Sequence, residues 1–387
     1  MSQPTSPTAP SPDVERSVRD RYSSAANERE SALCCPVDYR TEFLEVIPEE
    51  ILERDYGCGD PSRYVREGET VLDLGSGGGK ICYIASQVVG PQGRVIGVDM
   101  NDDMLELAEQ YREKVGERIG HHNVEFLKGK IQDLALDVRA LEQRLEQTPP
   151  STFAELEALD RWTVQQRAER PLVESDSVDV VVSNCVLNLV RHEDRVALFS
   201  EIFRVLKRGG RAVISDIVCD ESVPVEMQND PTLWSGCISG AFEEHEFLQA
   251  FEDAGFYGVQ LVKRDEQPWQ TVEGIEFRSV TVEAYKGKEG VCLERNQAVI
   301  YRGPWSEVHD DDGHTFVRGQ RTAVCHKSYQ ILTRAPYADQ LIGIEPYNEV
   351  PLDAAEEFSS CRPRVRDAKE SKGADYRTTE SSEGGCC

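Results

Sequence analysis

Residues 70–80 read TVLDLGSGGGK, and this stretch decides the fold class. It opens with the apolar run of a short strand and ends in a cluster in which Gly75, Gly77 and Gly79 stand two residues apart. Because glycine has no Cβ atom, the cluster permits a tight turn and a close approach of the backbone to a ligand. Apolar residues at helical spacing follow at Ile81, Ile84, Ala85 and Val88. The stretch therefore predicts a strand, a turn and a helix, in that order.

The same alternation continues along the chain. Further strand-like runs occupy residues 94–98, 124–127, 178–182 and 211–217, and apolar residues recur at helical spacing between the first two of them. Runs this uniformly apolar are typical of strands that are covered on both faces of a sheet. We therefore expect an α/β protein with a doubly wound, Rossmann-like sheet.

Two segments depart from this alternation. Within residues 133–175 apolar residues share one helical face, and Thr152 and Glu155 form a capping-box pattern, so we expect a helical insertion. From Val291 onward short β-prone runs such as 298–301 and 329–333 predict a small β-rich module.

These patterns predict how the chain is organised. The first and last segments are polar, so they bury too little apolar surface to offset the entropy of ordering. The expected parts are a disordered lead-in (1–14), an N-terminal segment (15–69), an α/β domain (70–240), the end of the sheet (241–290), a β-rich module (291–361) and a disordered tail (362–387).

Composition excludes several classes of protein. The 387 residues include 70 Asp and Glu against 43 Lys and Arg, a formal net charge of -27, so nucleic acid is not an expected partner. No run approaches the length of a membrane-spanning helix, and the N-terminal residues lack the pattern of a secretion signal. We therefore expect a cytoplasmic protein without a membrane partner, in which the 12 cysteines serve as free thiols, metal ligands or catalytic groups.

An acidic residue accompanies the glycine cluster. Asp99 ends the second strand, 24 residues after Gly75, where a carboxylate accepts hydrogen bonds from ribose hydroxyls. A dinucleotide fingerprint requires a third glycine where this loop has Lys80, so a dehydrogenase is a distant alternative.

With Asp73 included, the loop has the pattern D-x-G-x-G-x-G, which resembles the first motif of S-adenosylmethionine-dependent methyltransferases. The resemblance implies a class I methyltransferase fold in which Asp73 helps to hold the methionine ammonium of the cofactor. It also implies an adenine site at Ile131 and Asp133, after the third strand. The remaining implied cofactor-binding residues are Gly75, Ser76, Gly77, Gly79, Asp99 and Met100.

Four cysteine stations lie outside the glycine loop. They are Cys34-Cys35, YGCG at 56–59, SNCVLNL at 183–189 and WSGCISGA at 234–241. Together with GVDM at 97–100, RVLKRGG at 204–210 and ISDI at 214–217, and in this order, they resemble the arsenite methyltransferases over about residues 30–285.

That resemblance implies methyl transfer from S-adenosylmethionine to trivalent arsenic, giving mono- and dimethyl and in some cases trimethyl arsenicals in arsenic detoxification. It implies Cys58, Cys185 and Cys237 as the arsenic ligands, and residues 241–290 as a cover of the arsenic site. Asn184 would contact the methionine end of the cofactor, and Tyr56 would lie near the sulfonium.

Cys34 or Cys35 would receive arsenic and pair oxidatively with Cys58. The resulting disulfide would require glutathione or thioredoxin as a reductant. The implied partners are therefore arsenite or its glutathione conjugate and one of these reductants.

The physical chemistry of arsenic agrees with this hypothesis. Trivalent arsenic is soft, so thiolates are preferred over carboxylate or imidazole ligands. Three thiolates in a trigonal pyramid leave the arsenic lone pair free to attack an aligned methyl group without a general base. Cys185 ends the fourth strand, at the carboxyl edge where open α/β sheets bind ligands.

Other interpretations remain open. The cysteines are structural if the chain methylates an organic small molecule, and a non-catalytic arsenic-binding protein would bind arsenite without turnover. We interpret Cys82 and Cys219 as packing residues. A thiol-rich metal site at Cys292, Cys325, His326 and Cys361 lacks the close C-x-x-C pairs of structural zinc.

Overall fold

The computed structural model describes residues 14–30, 37–359, 365–373 and 376. The chain divides into two compact units, Met1–Lys286 and Gly287–Cys387. The division falls close to residue 291, where the sequence pattern changes from alternating strands and helices to short β-prone runs.

The first unit is built on one sheet whose strand order is β3-β2-β1-β4-β5-β9-β7, with β6 beside β5 and β8 beside β9. Its strands are β1 (Thr70–Leu74), β2 (Arg94–Asp99), β3 (Val124–Lys128), β4 (Val178–Asn184), β5 (Leu206–Cys219), β6 (Phe242–Glu243), β7 (Tyr257–Arg264), β8 (Gln270–Val272) and β9 (Ile275–Tyr285). Strands β1 to β6 pair in parallel, whereas β7, β8 and β5 pair with β9 in antiparallel fashion. The doubly wound α/β class is confirmed.

Helices cover both faces of this sheet. They are α1 (Val14–Asn27), α2 (Thr41–Leu44), α3 (Glu49–Glu53), α4 (Lys80–Val89), α5 (Asp102–Ile119), α6 (Val138–Gln147), α7 (Phe153–Glu169), α8 (Arg195–Val205), α9 (Val225–Gln228), α10 (Pro231–Ser235) and α11 (Glu244–Asp253). Helices α6 and α7 form the insertion, and α7 begins with the Thr152–Glu155 capping box that the sequence indicates. Among the described residues, no helix combines the length and the apolar character that crossing a membrane requires.

The apolar core lies on both sides of the sheet. In β1, Leu72 belongs to one buried cluster with Phe199 of α8, whereas Val71 belongs to a second cluster with Ile84 of α4. Successive side chains of a strand point to opposite faces. Because both faces of β1 are buried, Val71, Leu72 and Leu74 can all be apolar.

The strand order determines where on the sheet a ligand site is expected. Strands β2 and β4 lie on opposite sides of β1, so the connections that follow β1 and β4 diverge at their carboxyl ends. In open α/β sheets, ligands bind in the crevice at this switch point.

The second unit contains β10 (Ala298–Tyr301), β11 (Glu307–His309), β12 (Thr315–Val317), β13 (Arg321–Ala323), β14 (Leu341–Ile344), α12 (His326–Leu332) and α13 (Ala368–Lys372). Strand β10 lies between β13 and β14, and β11 pairs with β12. The prediction of a β run at 329–333 is wrong, because these residues mostly belong to α12. The Cys325 sulfur accepts the N–H of Ser328 at the start of α12, and the helix buries Leu332 in the core of the unit.

The predicted disordered tail is also partly wrong. Residues 365–373 include α13, and Arg366 forms an ion pair with Glu294 at 2.8 Å, with side chains only 2% and 7% exposed. The sequence pattern does not reveal this pairing, since the partner lies 72 residues earlier in the chain. Residues 1–13 of the predicted lead-in lie outside the described residues.

Candidate active site

A cavity opens at the carboxyl edge of the sheet, beside β1, β2 and β4. Most of the predicted cofactor residues line it: Tyr56, Asp73, Gly75, Ser76, Gly77, Asp99, Met100, Ile131 and Asn184. The fold thus brings together side chains from five separate segments of the chain.

The glycine loop forms one wall of this cavity. Gly75 and Gly77 have φ values of 68° and 49°, in the left-handed region that favours glycine. A carboxylate oxygen of Asp99 accepts the N–H of Gly77 at 2.9 Å, which fixes the loop against the end of β2. Within the described part of the chain, the buried Ser76 hydroxyl oxygen has no hydrogen-bond partner. A buried, unsatisfied hydroxyl in the wall suits the polar amino-acid end of a cofactor.

Asp73 lies buried at the end of β1. Burial raises the pKa of its carboxyl to about 7, an effect that the Cys82 thiol opposes by donating to Asp73 Oδ2 at 3.2 Å. A cationic group in the cavity would favour the ionised carboxylate. The sequence analysis interprets Cys82 as a packing residue. In the structure its thiol also supports the charged form of Asp73.

Two predicted cofactor residues have other roles. Gly79 is the residue before α4 with φ 86°, and a Cβ there would lie 2.7 Å from the ring of Phe126, so packing explains this glycine. Asp133 pairs with Arg167 of α7 at 2.9 Å and does not border the cavity, whereas its neighbour Gln132 does. The predicted adenine contact of Asp133 stays a prediction, and the local sequence does not reveal the cation that the inserted helix α7 places beside it.

Asn184 connects the end of β4 to the YGCG loop. Its Oδ1 accepts the N–H groups of Cys58 at 2.9 Å and Gly59 at 3.0 Å. Its Nδ2 donates to the carbonyl oxygen of Gly59 at 2.8 Å and to the hydroxyl of Tyr39 at 3.1 Å. An amide side chain has two acceptor and two donor positions, and all four are used here. The side chain therefore clamps the Cys58 loop, which differs from the predicted contact with the cofactor.

The three cysteines predicted to bind arsenic converge beside the cavity. Cys58 lies in the loop after α3, Cys185 follows β4, and Cys237 follows α10. The Sγ atoms of Cys58 and Cys185 lie within 4.8 Å of each other, and the Cys237 thiol donates to the carbonyl oxygen of Cys185 at 3.4 Å. Segments more than 40 residues apart in the sequence thus meet at one group of sulfur atoms.

The backbone is strained at two of these cysteines. Cys185 has φ 65° and Cys237 has φ 60°, which places them among five positive-φ residues other than glycine in the described chain. Such conformations cost free energy and persist only where the surrounding structure enforces them. The N–H of Cys185 donates to the carbonyl oxygen of Ser215 at 2.8 Å, which is one of the enforcing contacts. The fold therefore directs both thiols into the group.

The side chains of all three cysteines are buried. Burial raises the pKa of Cys58. The neighbouring thiols of Cys237 and Cys58 raise the pKa of Cys185 well above its ordinary value, and burial adds to this effect. Both are neutral thiols at neutral pH. A carboxylate oxygen of Asp216 lies within 4.8 Å of the Cys58 and Cys185 sulfur atoms, and burial raises the pKa of Asp216 to about 6.

Helix α1 extends along both parts of the site. Tyr22 stacks edge-on against Tyr56, with ring centroids 6.2 Å apart, and burial, followed by the neighbouring Cys237 and Cys185 thiols, raises the pKa of its hydroxyl. Arg21 donates to the carbonyl oxygen of Thr232 in α10 at 2.9 Å, and Asn101, which borders the cavity, donates to Ser23 at 3.0 Å. The helix thus joins the cofactor side of the site to the thiol side.

Known proteins resemble this chain over most of its length. It is 30% identical over 353 residues to an arsenite methyltransferase of Aquipseudomonas alcaligenes, an alignment that covers 85% of this chain and 91% of that protein. The chain belongs to the arsenite methyltransferase family. An arsenite methyltransferase of Mus musculus is 29% identical over 364 residues, covering 90% and 87% of the two chains.

As a member of the arsenite methyltransferases, the chain is an S-adenosylmethionine-dependent enzyme. A family profile described as "Methyltransferase domain" matches residues 66–143 and 154–255, and the gap runs from the end of α6 to the start of α7. A second profile, "Domain of unknown function (DUF8838)", matches residues 288–376. The crystal structure of an arsenic(III) S-adenosylmethionine methyltransferase from Chlamydomonas reinhardtii shares the fold, with 24% identity, a TM-score of 0.52, and coverage of 91% of this chain and all of that one.

Sequence reasoning missed several residues of this arsenite methyltransferase. Tyr22, Asn101 and Asp216 all contact the predicted site, and only ISDI at 214–217 gave a signal, as a family phrase without an assigned role. Cys34 and Cys35, predicted to form the fourth cysteine station, lie outside the described residues.

Proposed function

We propose that this chain transfers methyl groups from S-adenosylmethionine to trivalent arsenic that is bound by the sulfur atoms of Cys58, Cys185 and Cys237. The convergence of these three thiols beside the cavity of Asp73 and Asp99 is the observation that carries the proposal. The products are mono- and dimethyl arsenicals, and a third transfer gives trimethyl arsenicals. The biological role is arsenic detoxification.

On the cofactor side, the residues act by binding and orientation. S-adenosylmethionine supplies an electrophilic sulfonium methyl group when it is bound. The Asp73 carboxylate holds the methionine ammonium, and the Asp99 carboxylate accepts hydrogen bonds from the ribose hydroxyls. Ile131 packs against the adenine. Tyr56, fixed by the bond from its hydroxyl to the carbonyl oxygen of Ala25 at 2.9 Å, borders the space between these groups and the thiols.

On the arsenic side, neutral thiols suit a neutral substrate. Arsenous acid is uncharged near neutral pH, and its three hydroxyl groups exchange for three thiols with release of three water molecules. No net charge enters the buried site, so the exchange avoids the large cost of burying unpaired ions. Three sulfur ligands leave the arsenic lone pair free for in-line attack on the methyl group.

The redox balance of repeated transfer requires a reductant. Bonding of a methyl cation equivalent to the arsenic lone pair raises the formal oxidation state of arsenic from III to V. A further thiolate that attacks one arsenic-bound sulfur forms a disulfide, and the electron pair of the broken bond returns arsenic to state III. We propose Cys34 or Cys35 for this thiolate and glutathione or thioredoxin to reduce the disulfide, in the cytoplasm, where thiols stay reduced.

The experiment is a methyl-transfer assay with labelled S-adenosylmethionine, arsenite and glutathione, followed by separation of the arsenicals. We expect labelled methylarsenicals from the natural chain and none from Cys185→Ser or Cys237→Ser, both of which should still bind S-adenosylmethionine. The matched control is Cys219→Ser, because Cys219 is equally buried but its thiol bonds the carbonyl oxygen of Phe242 at 3.3 Å.

The proposal fails if a folded chain that binds S-adenosylmethionine transfers no label to arsenic. Full activity of either ligand variant would reject the three-sulfur site while leaving arsenic methylation itself intact.

A further inference from the structure

The second unit contains a pair of thiols of its own. Cys292 and Cys325 precede two residues that are joined by a backbone hydrogen bond, so the two cysteines are neighbours in the fold; Cys292 is half-buried and Cys325 is buried. Backbone bonds set this arrangement. The N–H of His326 donates to the carbonyl oxygen of Leu293 at 2.8 Å, so the residues that follow the two cysteines are joined directly.

Further contacts hold each thiol in place. The N–H of Phe358 donates to the carbonyl oxygen of Cys292 at 2.8 Å, and the Cys325 sulfur lies 3.3 Å from the hydroxyl of Ser328. The ammonium of Lys327 donates to the carbonyl oxygen of Gly290 at 3.1 Å, two residues before Cys292. The pair is therefore held by the surrounding structure and is more than a chance contact of flexible side chains.

The protonation of the pair suits ligand exchange. Burial and the neighbouring Cys325 thiol raise the pKa of Cys292, and the Lys327 ammonium opposes this effect. Cys292 is therefore a neutral thiol at neutral pH, and it can replace a hydroxyl group on arsenic with release of water.

The number of sulfur atoms indicates which arsenical fits. Cys361, the other cysteine that the sequence analysis grouped with this pair, lies outside the described residues; among the described residues, no third Cys, His, Asp or Glu ligand atom joins the pair in a common cluster. Arsenous acid has three exchangeable hydroxyl groups, whereas its monomethyl derivative, CH₃As(OH)₂, has two. Two thiols therefore satisfy the monomethyl species completely and leave arsenite with one unfilled position.

We propose that Cys292 and Cys325 form a second arsenic site, which binds monomethylated trivalent arsenicals through two sulfur atoms. Two As–S bonds form, two As–O bonds break and two water molecules leave, so no oxidant or reductant is involved. The proposal rests on the proposed function for the source of the ligand, since the three-sulfur site would produce it. Two thiols on one chain act at a high effective concentration, so the pair retains the arsenical in competition with single free thiols.

The test measures protection of Cys292 in the full, reduced chain. The chain is incubated with synthetic methylarsonous acid and an excess of glutathione, alkylated under native conditions, digested and quantified by peptide mass spectrometry. Because chelation raises the effective thiol concentration by about two orders of magnitude or more, we expect alkylation of Cys292 to slow by at least about tenfold. Addition of 2,3-dimercaptopropanol should restore alkylation, which a disulfide between the two cysteines would not allow.

Two variants decide the outcome. Cys325→Ser should abolish the protection of Cys292, whereas Cys219→Ser, the same change at a buried cysteine of the first unit, should retain it. If Cys325→Ser unfolds, Cys292→Ser gives the reciprocal test at a half-buried position, with one bound methylarsenic fewer by native mass spectrometry. Unchanged alkylation of Cys292 in the natural chain, or equal protection in Cys325→Ser, overturns the proposal.

Because the arsenical is supplied from outside, this binding result is independent of methyl transfer. An active enzyme without protection of Cys292 would reject only the second site. Protection of Cys292 in an inactive enzyme would reject only the proposed function.

Discussion

Replacement of Asn184 by alanine separates two roles for this residue. The structure uses the side chain to clamp the Cys58 loop, through bonds to the N–H groups of Cys58 and Gly59, the carbonyl oxygen of Gly59 and the hydroxyl of Tyr39. The family resemblance instead implies a contact with the cofactor. The variant removes the clamp without changing any thiol.

The magnitude follows from the four hydrogen bonds. Each contributes about 1 kcal/mol net, so the four correspond to about 4 kcal/mol. Because Asn184 is half-buried, water replaces part of this loss, and about 2–3 kcal/mol remains. If that free energy holds Cys58 beside Cys185, arsenite binding weakens by about 30- to 150-fold.

The assay measures dissociation constants for arsenite and for S-adenosylmethionine on the same variant, together with the number of arsenic-bound thiols. We expect arsenite binding to weaken strongly, the number of protected thiols to fall from three to two, and cofactor binding to change by less than about fivefold, which is about 1 kcal/mol.

The matched control is Asn123→Ala. Asn123 joins loops at the opposite end of the sheet by donating to the carbonyl oxygens of Gly90 and Gly93 at 2.8 and 3.0 Å. It should cost comparable stability and leave arsenite binding intact. If Asn184→Ala weakens S-adenosylmethionine more than arsenite, the clamp interpretation is refuted.

Three further predictions concern other parts of the site. Burial raises the pKa of Asp73 to about 7, and the cofactor ammonium requires the carboxylate, so S-adenosylmethionine affinity should fall by up to about tenfold per pH unit below 7. Titration calorimetry should show an affinity that does not change with pH in this range for Asp73→Asn. An equally steep pH dependence in that variant would contradict the role of Asp73. A Cβ at Gly57 would lie 2.0 Å from Asn184 Nδ2, so Gly57→Ala should displace the Asn184 side chain and weaken arsenite binding in the natural chain. In the Asn184→Ala background the same change should weaken arsenite binding little further. Additive losses of binding free energy in this double-mutant cycle would reject the clash. Arg21→Ala removes the hydrogen bonds from α1 to α10, so amide hydrogen exchange in α1 should accelerate about fivefold, which corresponds to a loss of about 1 kcal/mol of stabilising free energy. The control Arg16→Ala, at an exposed residue of the same helix, should not change the exchange rate. Equal rates in both variants would show that Arg21 does not hold the helix.

Much of the fold could be predicted from local patterns. The apolar runs at 70–74 and 94–98, the glycine cluster and the capping box at Thr152 depend on near neighbours in the chain, so the sequence alone indicates β1, β2 and the start of α7. The apolar runs predicted strands that are buried on both faces of the sheet, which the two core clusters confirm. Where a distant partner overrides local preference, the prediction was wrong, as for the tail around Arg366.

By itself, the sequence determined the fold class and the glycine loop, because each depends on residue type and short spacing, whereas the three predicted arsenic ligands came from the resemblance to the arsenite methyltransferases. Tertiary structure alone decided that Asp133 is neutralised by Arg167, that Asn184 is saturated by the Cys58 loop and that Tyr22 of α1 reaches Cys237. These contacts join residues 34, 126 and 215 positions apart, and folding brings such residues together only when the whole sheet and its covering helices have formed. Only the folded chain determines which side chains are saturated by other residues and which border the cavity.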